Sequence, residues 1–141
     1  MWHRLRALTR REWGALLETA LVCVGVELGL RALPLPRFLG MLRRYPTRSH
    51  PSPAVQTAEL QRLAAAVFRR APWRMTCLKQ ALVLLVLLRR RGLPATVRIG
   101  LATHGDALRA HAWIEHRGRV LLDDPAIARQ FPGVMSLVSA A

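Results

Sequence analysis

An α+β fold is predicted: a helix bearing a cysteine, packed on an antiparallel sheet and preceded by a helical segment. Three observations predict it. The apolar run over residues 81–88 is framed by helix start and stop signals. Three strand-like segments follow closely, the last two joined by a short turn containing glycine. The 141 residues are 52% hydrophobic and 21% charged, a composition that supports one globular domain with its own core.

The first element is a long helix over residues 12–33, uninterrupted until Pro34. Glu18 and Glu27 are nine residues apart, which at 100° per residue puts them on opposite sides and leaves no wide polar face. Such a helix is either buried by neighbours or lies against a membrane. It is a poor transmembrane span, because each acid near mid-bilayer costs roughly 2.5–3.5 kcal/mol. A core or docking helix is the better reading, with peripheral membrane contact as the secondary one. Glu27 and Arg31 have the spacing of an i,i+4 surface pair. Pro34, Pro36, Pro46, Pro51 and Pro53 then punctuate the chain, and residues 45–56 read as a linker. The expected division is an N-terminal helical segment, 1–50, and a second unit, 51–141.

A second helix is expected over residues 57–70, with Leu60, Leu63, Ala64 and Val67 at core spacing. Thr76 is a good N-cap for the third. Arg89, Arg90 and Arg91 complement its dipole, Gly92 supplies the stop, and Pro94 prevents continuation. Its apolar run is far shorter than the ~20 residues of a membrane span. Strands are expected over residues 95–101, 108–116 and 119–123.

The charge is lopsided, with 22 basic residues against 8 acidic and a net charge of +14. Lys79 is the only lysine. Such a surplus favours polyanions, anionic lipid surfaces or acidic peptides. Nucleic-acid binding would want basic residues interleaved with aromatics or gathered on a recognition helix. Here the arginines form short clusters flanking apolar runs, and a solvated rim is the simpler expectation. Two cysteines, Cys23 and Cys77, cannot build a secreted disulfide framework, and no export signal opens the chain. A reduced, cytoplasmic setting is expected.

Cys77 is the sharpest chemical feature. It falls in the first turn of a helix, where unpaired N–H groups and the macrodipole favour a thiolate. Taken alone, a free cysteine is more often a small buried hydrophobe. Cys23, among Val22, Val24 and Val26, is read as core filler. His111 lies on a predicted strand between Ala110 and Ala112, with Trp113 on the same face. With an acid on the partner strand it fits a Cys–His–Asp arrangement, in which imidazole takes the thiol proton and a carboxylate orients it. Asp123 and Asp124 are both candidates for that acid. A three-residue loop, 116–118, pairs Glu115 with Arg119, Trp113 with Leu121 and His111 with Asp123. A two-residue Arg117-Gly118 loop pairs His111 with Asp124 instead, and requires arginine at positive φ. The three-residue register and Asp123 are therefore expected, with Asp124 as a turn residue. The Cys77 backbone N–H is the natural oxyanion donor, and the Trp73 indole a second.

The helix Cys77-Leu78-Lys79-Gln80-Ala81-Leu82, the strand Val97-Arg98-Ile99-Gly100-Leu101, and His111-Ala112-Trp113-Ile114-Glu115 followed by Asp123 resemble the transglutaminase-like leader peptidases of lasso-peptide biosynthesis. The resemblance covers about residues 72–125. It implies a papain/transglutaminase-type fold and a triad carried over to Cys77, His111 and Asp123. The activity it implies is removal of the leader from a ribosomal precursor peptide, typically after a threonine near the leader's end. An ATP-dependent, asparagine-synthetase-like cyclase then closes the macrolactam. Some members carry a winged-helix-like leader-binding module ahead of the peptidase. Residues 1–50 lack its strand pattern, so that module is expected as a separate protein.

Other constellations fare worse. His104, Asp106, His111 and His116 hint at a metal site, but His111 and His116 face opposite ways on one strand. No phosphate loop, paired-cysteine zinc pattern or nucleophile-elbow serine is present, so neither metal nor cofactor is expected. The rival from another class is a catalytically silent basic adaptor that binds peptide, nucleic acid or a membrane surface.

Overall fold

The computed structural model describes residues 7–47 and 57–139. Most of the expected linker, residues 48–56, lies outside them.

Helix α1, Arg10–Ala32, starts at a capping box. Thr9 Oγ1 accepts from the Glu12 N–H at 3.2 Å, and Glu12 Oε2 accepts from the Thr9 N–H at 2.9 Å. Helix α2, Leu35–Arg44, occupies the stretch read as proline-rich turns. The correction is local: Pro34 and Pro36 stand at the cap and in the first turn, where a missing N–H costs nothing and a fixed φ starts a helix. Helix α3 is Thr57–Arg70 and α4 is Cys77–Arg90, capped as expected by Thr76, whose side chain accepts from the Lys79 N–H.

Four strands follow: β1 Thr96–His104, β2 Ala107–His116, β3 Arg119–Leu121 and β4 Gly133–Val138. They form one antiparallel sheet in the order β3-β2-β1-β4. The fold is α+β, as the sequence predicts. A short 3₁₀ turn, Ile127–Gln130, leads into β4. Sequence patterning misses β4 because it is a short edge strand that starts at glycine and gains its order by pairing with β1.

α4 is the centre of the molecule and is buried from Ala81 through Arg89. α1 and one face of the sheet pack against it, and α3 packs on α1 to complete the same core. α1 and α2 put Cys23, Val26, Phe38, Leu39 and Leu42 into the same core as Leu82, Leu85, Val97 and Ile114. The opposite sheet face carries a smaller cluster of Trp113, Ile127 and Phe131.

Two electrostatic expectations are corrected. Glu27 is 6% exposed, not a surface residue, and its carboxylate meets both Arg31 at 2.7 Å and Lys79 of α4 at 2.5 Å. The Lys79 ammonium holds the Glu27 carboxyl below the usual carboxylate range, with Arg31 adding to it against the opposing effect of burial. Glu18, nine residues earlier, also reaches α4, because the long side chains of Arg90 and Arg91 extend to it at 2.6 and 2.8 Å. The cluster Arg89–Arg91 is therefore no solvated rim. Arg89 is 1% exposed and donates to the carbonyls of Leu42, Tyr45 and Ser139.

Candidate active site

Cys77 is the first residue of α4, partly exposed. Of the N–H groups in this first turn, that of Lys79 goes to Thr76 Oγ1 and that of Gln80 to the Thr76 carbonyl. Among the described residues no acceptor takes the N–H of Cys77 or Leu78. Two backbone donors thus stand beside the thiol. The Trp73 indole, the other expected donor, gives its N–H to Met75 Sδ at 3.2 Å. The approach to Cys77 is braced from below: Lys79 Nζ donates to the Arg74 carbonyl and Gln80 Nε2 to the Met75 carbonyl, both at 3.2 Å. Through Lys79, the buried Glu27 of α1 is tied to the same corner.

Only five residues, 91–95, join α4 to β1, so β1 turns back along the helix. Gly100 lies four residues into β1 and pairs with His111 of β2. His111 thereby lies level with the middle of β1, four residues along from its start. No hydrogen bond joins the two among the described residues; the imidazole lies on the sheet face of Trp113 and Phe131, while α4 packs on the face of Val97 and Ile114.

His111 and Asp123 are joined directly, Nε2 to Oδ2 at 2.5 Å. The register that brings them together is not the expected one. β3 pairs His116 with Arg119, Glu115 with Val120 and Ile114 with Leu121, around a two-residue loop. Arg117 and Gly118 both take positive φ, 50° and 75°, as a type I′ turn requires. The arginine accepts a conformation that its side chain disfavours because the turn's twist suits the strands. That register, continued, would deliver Asp124 to His111. It is not continued: Leu122 turns left-handed, φ 57°, and the strand ends at Leu121. Leu122 packs against the core instead of following the ladder, and Asp123 swings into the place opposite His111.

The left-handed leucine is held by a residue that sequence reasoning passed over. Gln61 of α3 accepts the Leu122 N–H on its Oε1 at 2.9 Å. Asp123 is fixed from its other oxygen as well, since Oδ1 accepts the Asp124 N–H at 2.8 Å. Asp124 builds the turn: its Oδ1 accepts the Ala126 N–H at 2.9 Å and its Oδ2 the Gln130 amide at 3.4 Å.

Phe131 closes the imidazole from one side. Its ring lies nearly parallel to that of His111, 9° between planes and 6.1 Å between centroids, and Trp113 stacks on both. This packing needs a glycine beneath. A Cβ on Gly100 would stand 2.5 Å from Phe131 Cγ, closer than any real contact. A glycine inside a strand, opposite a histidine, is the signal that could have announced it. Trp113 Nε1 donates to Glu115 Oε1, and Glu115 also holds Arg98.

The remaining candidates are structural. Cys23 is 2% exposed, and burial pushes its thiol up to about 11. His116 points to the core side and its Nδ1 contacts the Pro94 carbonyl at 2.6 Å, tying the hairpin to the α4–β1 connection. His104 and Asp106 sit at the exposed tip of the β1–β2 hairpin. Among the described residues no three His, Cys, Asp or Glu side chains gather as a metal set would.

With Nε2 committed to Asp123, Nδ1 is the imidazole atom left to take a proton. A thiol, a carboxylate-oriented histidine and two free backbone N–H groups are the parts of nucleophilic acyl chemistry. The family model described as "Transglutaminase-like superfamily" matches residues 20–136. Compared with curated proteins and with solved structures, the chain gave no match.

Proposed function

The chain belongs to the transglutaminase-like superfamily, and from that premise we propose that it is a cysteine peptidase that removes the leader from a lasso-peptide precursor. The observation that carries the reading is the His111–Asp123 pair, set by a left-handed break in β3, in a chain whose Cys77 opens α4. Superfamily members generally use a Cys–His–Asp triad for peptidase or acyl-transfer chemistry. The leader-peptidase role follows from the resemblance of residues 72–125 to that group.

In the mechanism, His111 Nδ1 takes the Cys77 proton as the bound peptide draws thiol and imidazole together; contacts of this kind are often loose before substrate binds. Sγ attacks the carbonyl carbon at the leader–core junction. The oxyanion is met by the N–H groups of Cys77 and Leu78. The imidazolium gives its proton to the departing amine of the core peptide, leaving the leader as a thioester on Cys77. Water, deprotonated by the same imidazole, attacks the thioester and releases the leader acid. Asp123 stabilises the imidazolium in both halves. No step calls for a metal or cofactor.

A separate winged-helix-like leader-binding protein presents the precursor, and the asparagine-synthetase-like cyclase consumes the freed core, all in the cytoplasm. Residues 7–47 being helices rather than strands supports a separate leader-binding partner. So does the row of exposed apolar side chains on α1 (Trp13, Leu17, Leu21, Val24, Leu28), which offers a surface for one. The test is reconstitution with the precursor encoded in the gene neighbourhood, read by mass spectrometry. Wild type releases leader and core, faster with the leader-binding protein; Cys77→Ala releases neither while keeping its circular dichroism spectrum. Undiminished product from Cys77→Ala, with loss on arginine substitution, would favour the basic-adaptor reading instead.

A further inference from the structure

We propose that the open edge of β2 beside His111 binds the peptide substrate as an added strand, through the backbone groups of Leu108 and Ala110. The inference rests on the peptidase reading and specifies how that site takes its substrate.

The hydrogen-bond directions along β2 follow from its two turns. His104 pairs with Ala107 around one two-residue loop, and His116 pairs with Arg119 around the other. Residues flanking such a loop exchange both backbone hydrogen bonds, and direction alternates along a strand. Ala107 therefore faces β1, and so do residues 109, 111, 113 and 115. His116 faces β3, and so do residues 108, 110, 112 and 114. Both turns give the same answer.

β3 covers β2 only as far as Ile114, because it ends at Leu121. Beyond that point the edge is bare. Leu108 and Ala110 each aim an N–H and a C=O outward, both residues are exposed, and among the described residues no loop or side chain takes these groups. Ala112 is 4% exposed, so the bare edge closes immediately past His111. Proteins ordinarily protect an edge with proline, a bulge or an inward charge. This one carries alanines at 107, 110 and 112, which admit a neighbouring chain closely.

A peptide lying about 4.8 Å from β2 would pair with Leu108 and Ala110 and be forced off the edge level with His111. Its backbone is then exposed where the imidazole waits. The ligand class is an extended peptide segment without proline or N-alkylation at the paired positions. Arg109, on the His111 face with its guanidinium 5.9 Å over Phe131, favours an acidic residue opposite it.

The test uses Cys77→Ala with the precursor peptide and amide hydrogen exchange read by NMR. Leu108 and Ala110 amides should become protected, while the amides on the free edge of β4 stay unchanged. In the active enzyme, Ala110→Pro removes an outward N–H without touching the ladder to β1, a position where an edge strand tolerates proline. It should raise KM about tenfold and leave kcat within about twofold, the effect of a lost backbone hydrogen bond with some added crowding. N-methylation of the peptide at the facing residue should raise KM similarly with the enzyme unaltered. A precursor that is cleaved while Leu108 and Ala110 remain unprotected, or protection on β4 instead, overturns the edge and leaves the peptidase reading standing. A precursor neither bound nor cleaved overturns both.

Discussion

Asp123 reaches the His111 imidazole, Oδ2 to Nε2 at 2.5 Å, because the residue before it, Leu122, abandons the strand for the left-handed region at φ 57°. A branched, apolar residue there stores strain of order 1–3 kcal/mol, which persists only when surroundings enforce it. Here the strain changes which of two adjacent acids meets the histidine. Asp123→Asn should therefore cut kcat by a hundredfold or more by order of magnitude, since the imidazolium loses its counter-charge. Asp124→Asn, which keeps the Oδ1 acceptor of its turn, should cost less than about threefold. Steady-state cleavage by the two variants, with unfolding curves alongside, decides the ranking; the reverse order would remove Asp123 from the site.

Gln61 acts on the same site from α3. Gln61→Leu leaves the Leu122 N–H without its acceptor, and kcat should fall about tenfold with KM unchanged. Gln61→Glu keeps an acceptor oxygen and should restore most of the rate. If leucine and glutamate behave alike, Gln61 serves stability alone.

At Gly100 any side chain displaces Phe131 from the imidazole. Gly100→Val should lower stability by about 1–3 kcal/mol, the usual result of overpacking, and depress kcat together with it. Adding Phe131→Ala should recover stability but not rate, because the ring that steadies His111 is then gone. Recovery of both would assign Phe131 to packing only.

The two cysteines should separate in alkylation and in alkaline unfolding. Iodoacetamide should label Cys77 in the native protein and spare Cys23 until the chain unfolds. The Cys23 thiol is raised from 9.0 to about 11 by burial, so between these values the unfolded chain gives up a proton that the folded one keeps. Stability is then full below pH 9 and falls as pH rises to 11, by about 2–3 kcal/mol. Urea unfolding across that window should show the decline in wild type and a shallower one in Cys23→Val; equal slopes would contradict the shift.

What could be read from the sequence was what local chemistry controls. α3 was legible to the residue and α4 to within one, because Thr76 caps, Leu60 and Leu63 keep helical spacing and arginines crowd the last turn of each. β4 was not, since its order comes from β1, 35 or so residues earlier, by the pairing of edge and neighbour. The meeting of His111 with Asp123 was anticipated through a register that the protein does not use. The loop is one residue shorter than expected, and Leu122 compensates by leaving the ladder. Nothing local marks a leucine for positive φ. Its support, Gln61, comes from another helix 61 residues away in the chain.

Arg89 has a consequence for how the molecule is made. Its guanidinium is capped by Leu42 and Tyr45 on one side and by Ser139 on the other, 50 residues later. On the ribosome, at ~5–20 residues per second, that last carbonyl arrives roughly 3–10 s after the arginine. Until then a cation lacks part of its shell at a position that burial would penalise by several kcal/mol. Losing the Ser139 carbonyl, or the strand β4 that leads to it, should therefore leave the Arg89 guanidinium partly unsatisfied inside the core. A truncated product missing that strand would be marked as unfinished by one exposed charge, and open to proteolysis for the same reason.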